Sequence, residues 1–126
     1  MKQTFPAELV APALARRAAH DFAAREGADA DTLAAIALCV SEAVTNAVVH
    51  AYDEGDRPGV VELEARRPNG YMCLYVRDRG RGLAARSDSE GLGLGLPLIA
   101  QAATAVEVRK PAEGGTELVM RFDLAA

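Results

Sequence analysis

Apolar residues recur at helical spacing through the first third of the chain and at alternating spacing through most of the rest. Val10, Leu14, Ala18 and Phe22 come every four residues and predict a first helix with these side chains as its buried stripe. Pro6 allows a helix start, and the pattern runs to about Arg25 and stops at Gly27. Asp29 or Asp31 can cap a second helix extending to about Ala51. Within it Leu33, Ile36, Val40, Val44, Ala47 and Ala51 fall on one face and read as core. Glu42, Asn46 and His50, spaced by four, form a polar ladder on roughly the opposite side, together with Leu38, Cys39 and Val49. A polar ladder set among apolar neighbours suggests a bound group rather than a plain solvated face.

The later pattern changes period. Residues 3 to 5 fit a short strand, and in Val61–Ala65 apolar residues alternate with acids. Arg67-Pro68-Asn69-Gly70 is a turn, and Tyr71–Val76 is a second strand with Met72, Leu74 and Val76 on one side. A short helix follows Pro97 to about Ala103, then a strand over Val106–Arg109, a turn at Glu113-Gly114-Gly115, and a last strand from Thr116 to Asp123. Hairpin connections imply an α+β fold, a two-layer α/β sandwich with a mostly antiparallel sheet and helices on one face. The 126 residues fit one domain spanning 1–126, without internal repeat or linker.

Composition removes some function classes. A net charge of −4 argues against a nucleic-acid binder held by a basic face. No apolar run is expected to approach the roughly 20 residues needed to span a membrane, and the N-terminus lacks the apolar core of a signal peptide. A cytoplasmic location with no membrane contact follows as an expectation. Cys39 and Cys73 read as buried free thiols, and the two His and two Cys are too scattered for a zinc pattern.

Three motifs carry chemistry. Gly91, Gly93 and Gly95 alternate just before the predicted third helix, where close backbone N–H groups and a helix N-terminus suit phosphate; a flexible connection is the other reading. Asp78-x-Gly80-x-Gly82 follows the second strand of the hairpin and leaves a carboxylate able to accept a hydrogen bond from an exocyclic amine such as that of adenine. The same residues also suit an ordinary Asp-Gly turn. Asn46 offers a neutral oxygen suited to Mg²⁺ beside phosphates, and Glu42, one turn earlier, a general base. Both also fit a polar helix face, and His50 fits a local structural role near a helix C-terminus.

Taken together and in this order, an Asn-bearing helix, Asp-x-Gly-x-Gly after a hairpin and a Gly-rich helix start resemble the GHKL ATPase superfamily. Ser41-Glu-Ala-Val-Thr-Asn-Ala-Val-Val-His-Ala-Tyr52 is most similar to the corresponding segment of bacterial anti-sigma factor serine kinases, the RsbW and SpoIIAB group. Gly91-Leu-Gly-Leu-Gly-Leu-Pro97 resembles the related switch kinases of stress-response complexes. The resemblance covers nearly the whole chain and implies the Bergerat/GHKL ATPase fold, with ATP and Mg²⁺ as cofactors. Under it Asn46 coordinates Mg²⁺, Glu42 activates the attacking hydroxyl of a protein serine, and Asp78 binds the adenine amino group. Gly80 and Gly82 shape the adenine floor, Gly91, Gly93 and Gly95 hold the phosphates, and Thr116 supports the adenine contact. The implied activity is that of a serine protein kinase and anti-sigma factor acting in partner switching. Its implied partners are a STAS-type anti-sigma antagonist, a sigma factor and a second copy of the chain. One departure stands out: only Leu83 to Glu90 lie between the two glycine motifs, where the family usually carries a longer lid. Arg79, Arg81 and Arg86 are candidate cations for the γ-phosphate. The short lid keeps a second function open, an ATP-binding interaction module that transfers no phosphate.

Overall fold

Among the described residues five strands, all paired antiparallel, form a sheet in the order β1-β2-β3-β5-β4. The strands are β1 (Lys2–Pro6), β2 (Val60–Arg66), β3 (Tyr71–Asp78), β4 (Ala105–Arg109) and β5 (Thr116–Asp123). Helices α1 (Ala11–Arg25), α2 (Ala30–Asn46) and α3 (Leu92–Ala102) cover one face, and a π-helical turn (Ala47–Ala51) continues α2. The computed structural model describes residues 1–51, 59–79 and 92–124.

The sheet sorts its side chains by alternation. Met72, Leu74, Val76 and Asp78 of β3 point to the helices and are buried, as are Val61, Leu63 and Ala65 of β2 and Thr116, Leu118, Met120 and Phe122 of β5. The intervening residues, among them Glu62, Arg77 and Glu117, form the open face. This is the two-layer α+β architecture that the pattern predicts.

The first helix departs from its reading. Pro6 ends β1 and α1 begins at Ala11, with Pro12 in its first turn, where a missing N–H is cheapest. The buried stripe is Ala11, Ala15, Ala19 and Ala23, one residue on from the expected Val10, Leu14, Ala18 and Phe22. Alanine lets α1 lie close against α2, and Val10 and Leu14 are left exposed while Ala18 and Phe22 flank the core. Gly27 ends the helix with φ +89°, a conformation open to glycine at little cost.

The side chain of Asp29 caps α2 by accepting from the Thr32 amide at 2.8 Å. That bond stabilises the ionised carboxylate and holds its pKa below the ordinary value. Ile36, Val40 and Val44 are fully buried as expected, and so is Cys39, whose Sγ lies 3.9 Å from the Ile99 carbonyl of α3. Packing against α3 therefore buries a second side of α2. One consequence corrects an expectation: Ala30–Val49 is, by length and composition, apolar enough to cross a membrane, with a mean hydropathy of 1.7. Burial explains part of the apolarity, since this helix packs on α1, α3 and the sheet, while Leu38 and Val49 are exposed. Cys73 also departs from its reading; it sits half-buried on the open face of β3.

Candidate functional site

The site begins with a pair of residues at the end of the two central strands. β3 runs on through Asp78, so this residue is part of the strand rather than the start of a loop. Its register partner on β5 is Thr116. Asp78 is 5% exposed and Thr116 2%, and both face the helical layer. A carboxylate and a hydroxyl are thus buried side by side among apolar neighbours, an arrangement that persists only where polar partners are supplied.

The β4–β5 turn presses on this pair from behind. Gly114 and Gly115 have φ of +102° and +82°, and a Cβ at Gly115 would lie 2.0 Å from the Asp78 carbonyl oxygen. Gly115 is therefore a site residue that the motif reading passed over as a turn. Its signal was the double glycine directly before Thr116. A cavity of about 200 Å³ at the same end of the strands takes Thr4, Glu62 and Arg77 of the open face into its lining along with Asp78, Arg79, Gly114 and Thr116, and so is not a pocket on the helical face.

Asn46 closes α2, and the π-helical turn that follows packs on β3. Such turns are rare and occur often at functional positions. Asn46 is 6% exposed, and its amide Nδ2 is buried without a hydrogen-bond partner. An orphaned buried donor costs about 1–3 kcal/mol, which a bound acceptor would recover. A phosphate oxygen meets that need as the amide stands, and a half-turn of the carboxamide presents its oxygen to a cation instead. Among the described residues, no group of three or more His, Cys, Asp or Glu is placed to hold a metal. Asn46 thus suits Mg²⁺ of the kind that keeps its waters and leans on ligand phosphates.

Glu42 is half-buried one turn before Asn46. It is near enough to Cys39 for its charge to add to the effect of burial, and together they push the thiol up to about 11. Cys39 is accordingly an inert core thiol. The backbone of His50 lies in the π-helical turn.

The glycine run is placed differently from its reading. α3 starts at Leu92, so Gly93 and Gly95 lie in its first turns rather than before it, and Pro97 lies inside the helix. With Leu92 as the first helical residue, the N–H groups of Leu92, Gly93 and Leu94 lack intrahelical acceptors, whereas that of Gly95 is placed for the first intrahelical bond. A backbone donor for an anion is thus retained at Gly93. Gly80, Gly82, Gly91, Arg81, Arg86 and the segment Leu83 to Glu90 lie outside the described residues.

The structure therefore joins Asp78 to Thr116 directly, sets Asn46 and Glu42 on a helix whose continuation covers β3, and packs α3 against α2. Comparisons with known proteins bear on the family and the fold. An anti-sigma F factor of Lysinibacillus sphaericus is 39% identical over 83 residues, covering 66% of this chain and 56% of its own length. The sensor histidine kinase PdtaS of Mycolicibacterium smegmatis is 32% identical over 102 residues, 76% of this chain and 20% of the kinase. The chain thus spans about half the length of the first relative and a fifth of the second. A solved structure of the RsbU and RsbW domains of Rv1364c from Mycobacterium tuberculosis shares the fold, with a TM-score of 0.73 at 24% identity over 100% of this chain and 33% of that one. The model of the histidine kinase-like ATPase domain matches residues 5–122, and the chain belongs to that family.

Proposed function

We propose that this chain binds ATP with Mg²⁺ and transfers its γ-phosphoryl group to a serine of a STAS-type anti-sigma antagonist, as an anti-sigma factor in partner switching. The observation that carries the nucleotide reading is the buried Asn46 amide with no partner, on the helix that packs against the strand ending in Asp78. The similarity to an anti-sigma F factor supports the choice of partner class. A cytoplasmic location and a single nucleotide-binding domain over 1–126 belong to the same reading.

In this mechanism Asp78 accepts a hydrogen bond from the adenine amino group, and Thr116 supports that contact from the neighbouring strand. Gly80 and Gly82 form the floor beneath the base. Gly91, Gly93 and Gly95, with nearby backbone amides, hold the phosphates, helped by the positive end of α3. Asn46 holds Mg²⁺. The carboxylate of Glu42 takes the proton of the attacking serine hydroxyl. When bound, ATP and Mg²⁺ supply the transferable group and neutralise its charge; the protein mainly positions and stabilises.

The eight residues from Leu83 to Glu90 favour a second reading, because so short a lid encloses little of the γ-phosphate. In it the chain is an ATP-binding interaction module that transfers no phosphate.

Calorimetric titration with ATP, with and without Mg²⁺, tests the proposal. Mg²⁺-dependent binding that Asp78→Asn abolishes is expected. Absence of binding at millimolar ATP would overturn the nucleotide site. Binding without phosphorylation of any STAS-type substrate would leave the module.

A further inference from the structure

The open face of the sheet carries a network of ion pairs that crosses the strands in their spatial order. Lys2 of β1 lies 3.7 Å from Glu62 of β2. Arg77 of β3 donates through Nη1 to Glu62 at 2.7 Å and to Glu64 at 2.8 Å, and through Nε to Glu117 of β5 at 2.6 Å. Arg109 of β4 donates to the other oxygen of Glu117 at 3.4 Å. Arg66 pairs with the far oxygen of Glu64. Charges alternate across all five strands, and Arg77 is the link that joins β2 to β5 through β3.

This link stands directly behind the candidate base site. In register, Glu62, Arg77 and Glu117 form one row on the open face, and Val61, Asp78 and Thr116 form the adjacent row on the helical face. Successive residues of a strand point to opposite faces. A force that holds Arg77 against Glu117 therefore also holds Asp78 against Thr116, without touching anything bound on the other side. The clamp is partly sheltered, with the Arg77, Glu64 and Glu117 side chains 25%, 11% and 16% exposed. Burial works against the Arg77 charge, and the hydrogen bonds it donates to Glu117, Glu64 and Glu62 more than offset it, so its pKa is raised. Its guanidinium also lies 4.9 Å from the centre of the Tyr75 ring.

We infer that Arg77 is a positioning residue for base recognition: its clamp on Glu62, Glu64 and Glu117 fixes the register of β2, β3 and β5 and so keeps Asp78 and Thr116 opposed. The inference rests on the proposed role of Asp78 toward adenine. Without the guanidinium, Glu62, Glu64 and Glu117 keep only their separate cations Lys2, Arg66 and Arg109, and the tie that Arg77 makes from β2 to β5 across β3 is lost. The strands on either side of Asp78 would then be freer to shift.

Nucleotide selectivity tests this, measured by titrating ATP and GTP into wild type, Arg77→Met and Glu117→Gln while the melting temperature is followed. A positioning role predicts that Arg77→Met weakens ATP binding about tenfold, the scale of a displaced contact, and leaves GTP binding almost unchanged. The ATP-to-GTP preference then collapses, and Arg77→Lys restores part of it. Glu117→Gln, which removes one arm and keeps the rest, should shift the preference in the same direction, and it serves if Arg77→Met fails to fold. Equal weakening of both nucleotides, as general destabilisation would give, overturns the inference. So does an unchanged preference in a folded variant. Wild type that binds neither nucleotide would refute the nucleotide reading itself, and the inference with it.

Discussion

Asp78 and Thr116 are register partners across β3 and β5, and both are buried on the helical face of the sheet. Their backbones are fixed by the ladder, so each side chain has little freedom to find another role. Thr116→Val keeps the volume and the β-branched shape but removes the hydroxyl. We expect ATP affinity to fall about tenfold, the value of one hydrogen bond lost in a buried setting, while the chain stays folded. Titration of the variant beside a thermal melt checks this; unchanged affinity would remove Thr116 from the site.

Glu42 and Asn46 share a helix face and are assigned different tasks, so their variants should separate. Asn46→Ala is expected to weaken Mg²⁺-dependent nucleotide binding. Glu42→Ala is expected to keep binding and lose phosphoryl transfer by about 10²-fold or more. Binding isotherms and a phosphorylation assay with a STAS-type substrate distinguish the two. Equal nucleotide binding by wild type and Asn46→Ala would sink the metal assignment, and unchanged transfer by Glu42→Ala would sink the base.

The glycines that adopt positive φ are not equivalent. At Gly27 an added Cβ meets nothing within 4 Å, so Gly27→Ala should cost only the conformational strain of about 1–2 kcal/mol. At Gly115 the Cβ would sit 2.0 Å from the Asp78 carbonyl oxygen, and backbone must move. Gly115→Ala should cost more than about 2 kcal/mol and weaken ATP binding as well, because the displaced group is Asp78 itself. Denaturant melts of both variants, with ATP titrations, would show whether the losses divide this way.

Cys39 gives the fold a pH dependence of known sign. Its thiol is held near 11 by burial and the charge of Glu42, against an ordinary value near 9. An unfolded chain releases this proton first as pH rises. The stabilisation is therefore complete below about pH 9 and is lost as pH rises toward 11. Cys39→Ala should flatten that slope of stability against pH. A thiol reagent at neutral pH should label half-buried Cys73 well before Cys39.

Much of the fold is legible in the chain because alternation and turn chemistry agree. β2, β3 and β5 appear where period-two runs flank Pro68-Asn69-Gly70 and Gly114-Gly115. α1 is misread by one residue for a physical reason. Hydrophobicity ranks leucine and valine above alanine, whereas a tight crossing with α2 prefers the smallest side chain. Pattern alone cannot know how near the neighbouring helix will come. The start of α3 is missed similarly: glycine and proline read as breakers, yet the helix runs from Leu92 through Pro97.

In the candidate site, Asn46 and Glu42 are visible as a polar ladder and Asp78 as an acid at a strand end, whereas Thr116 is picked out only by the family resemblance. What no spacing reveals is their company. The Asp78–Thr116 pairing depends on β5 adding next to β3 rather than next to β4 alone, a matter of topology. The contact of Gly115 with Asp78 and the clamp of Arg77 on two strands follow from the same crossing, and charges in alternating strands otherwise look like ordinary solvated positions.

The order of the strands also sets when the site can exist. β2 and β3 form a local hairpin with a short turn, whereas β5 reaches β3 only after α3 and β4 have been made. Closing that larger loop is entropically dearer, so the central pairing is expected late in folding. On the ribosome the half-site bearing Asn46 and Asp78 would emerge first and wait for Thr116. A nascent chain would thus have no complete proposed base pocket until β5 had been made, and ligand would favour only that later step of its assembly.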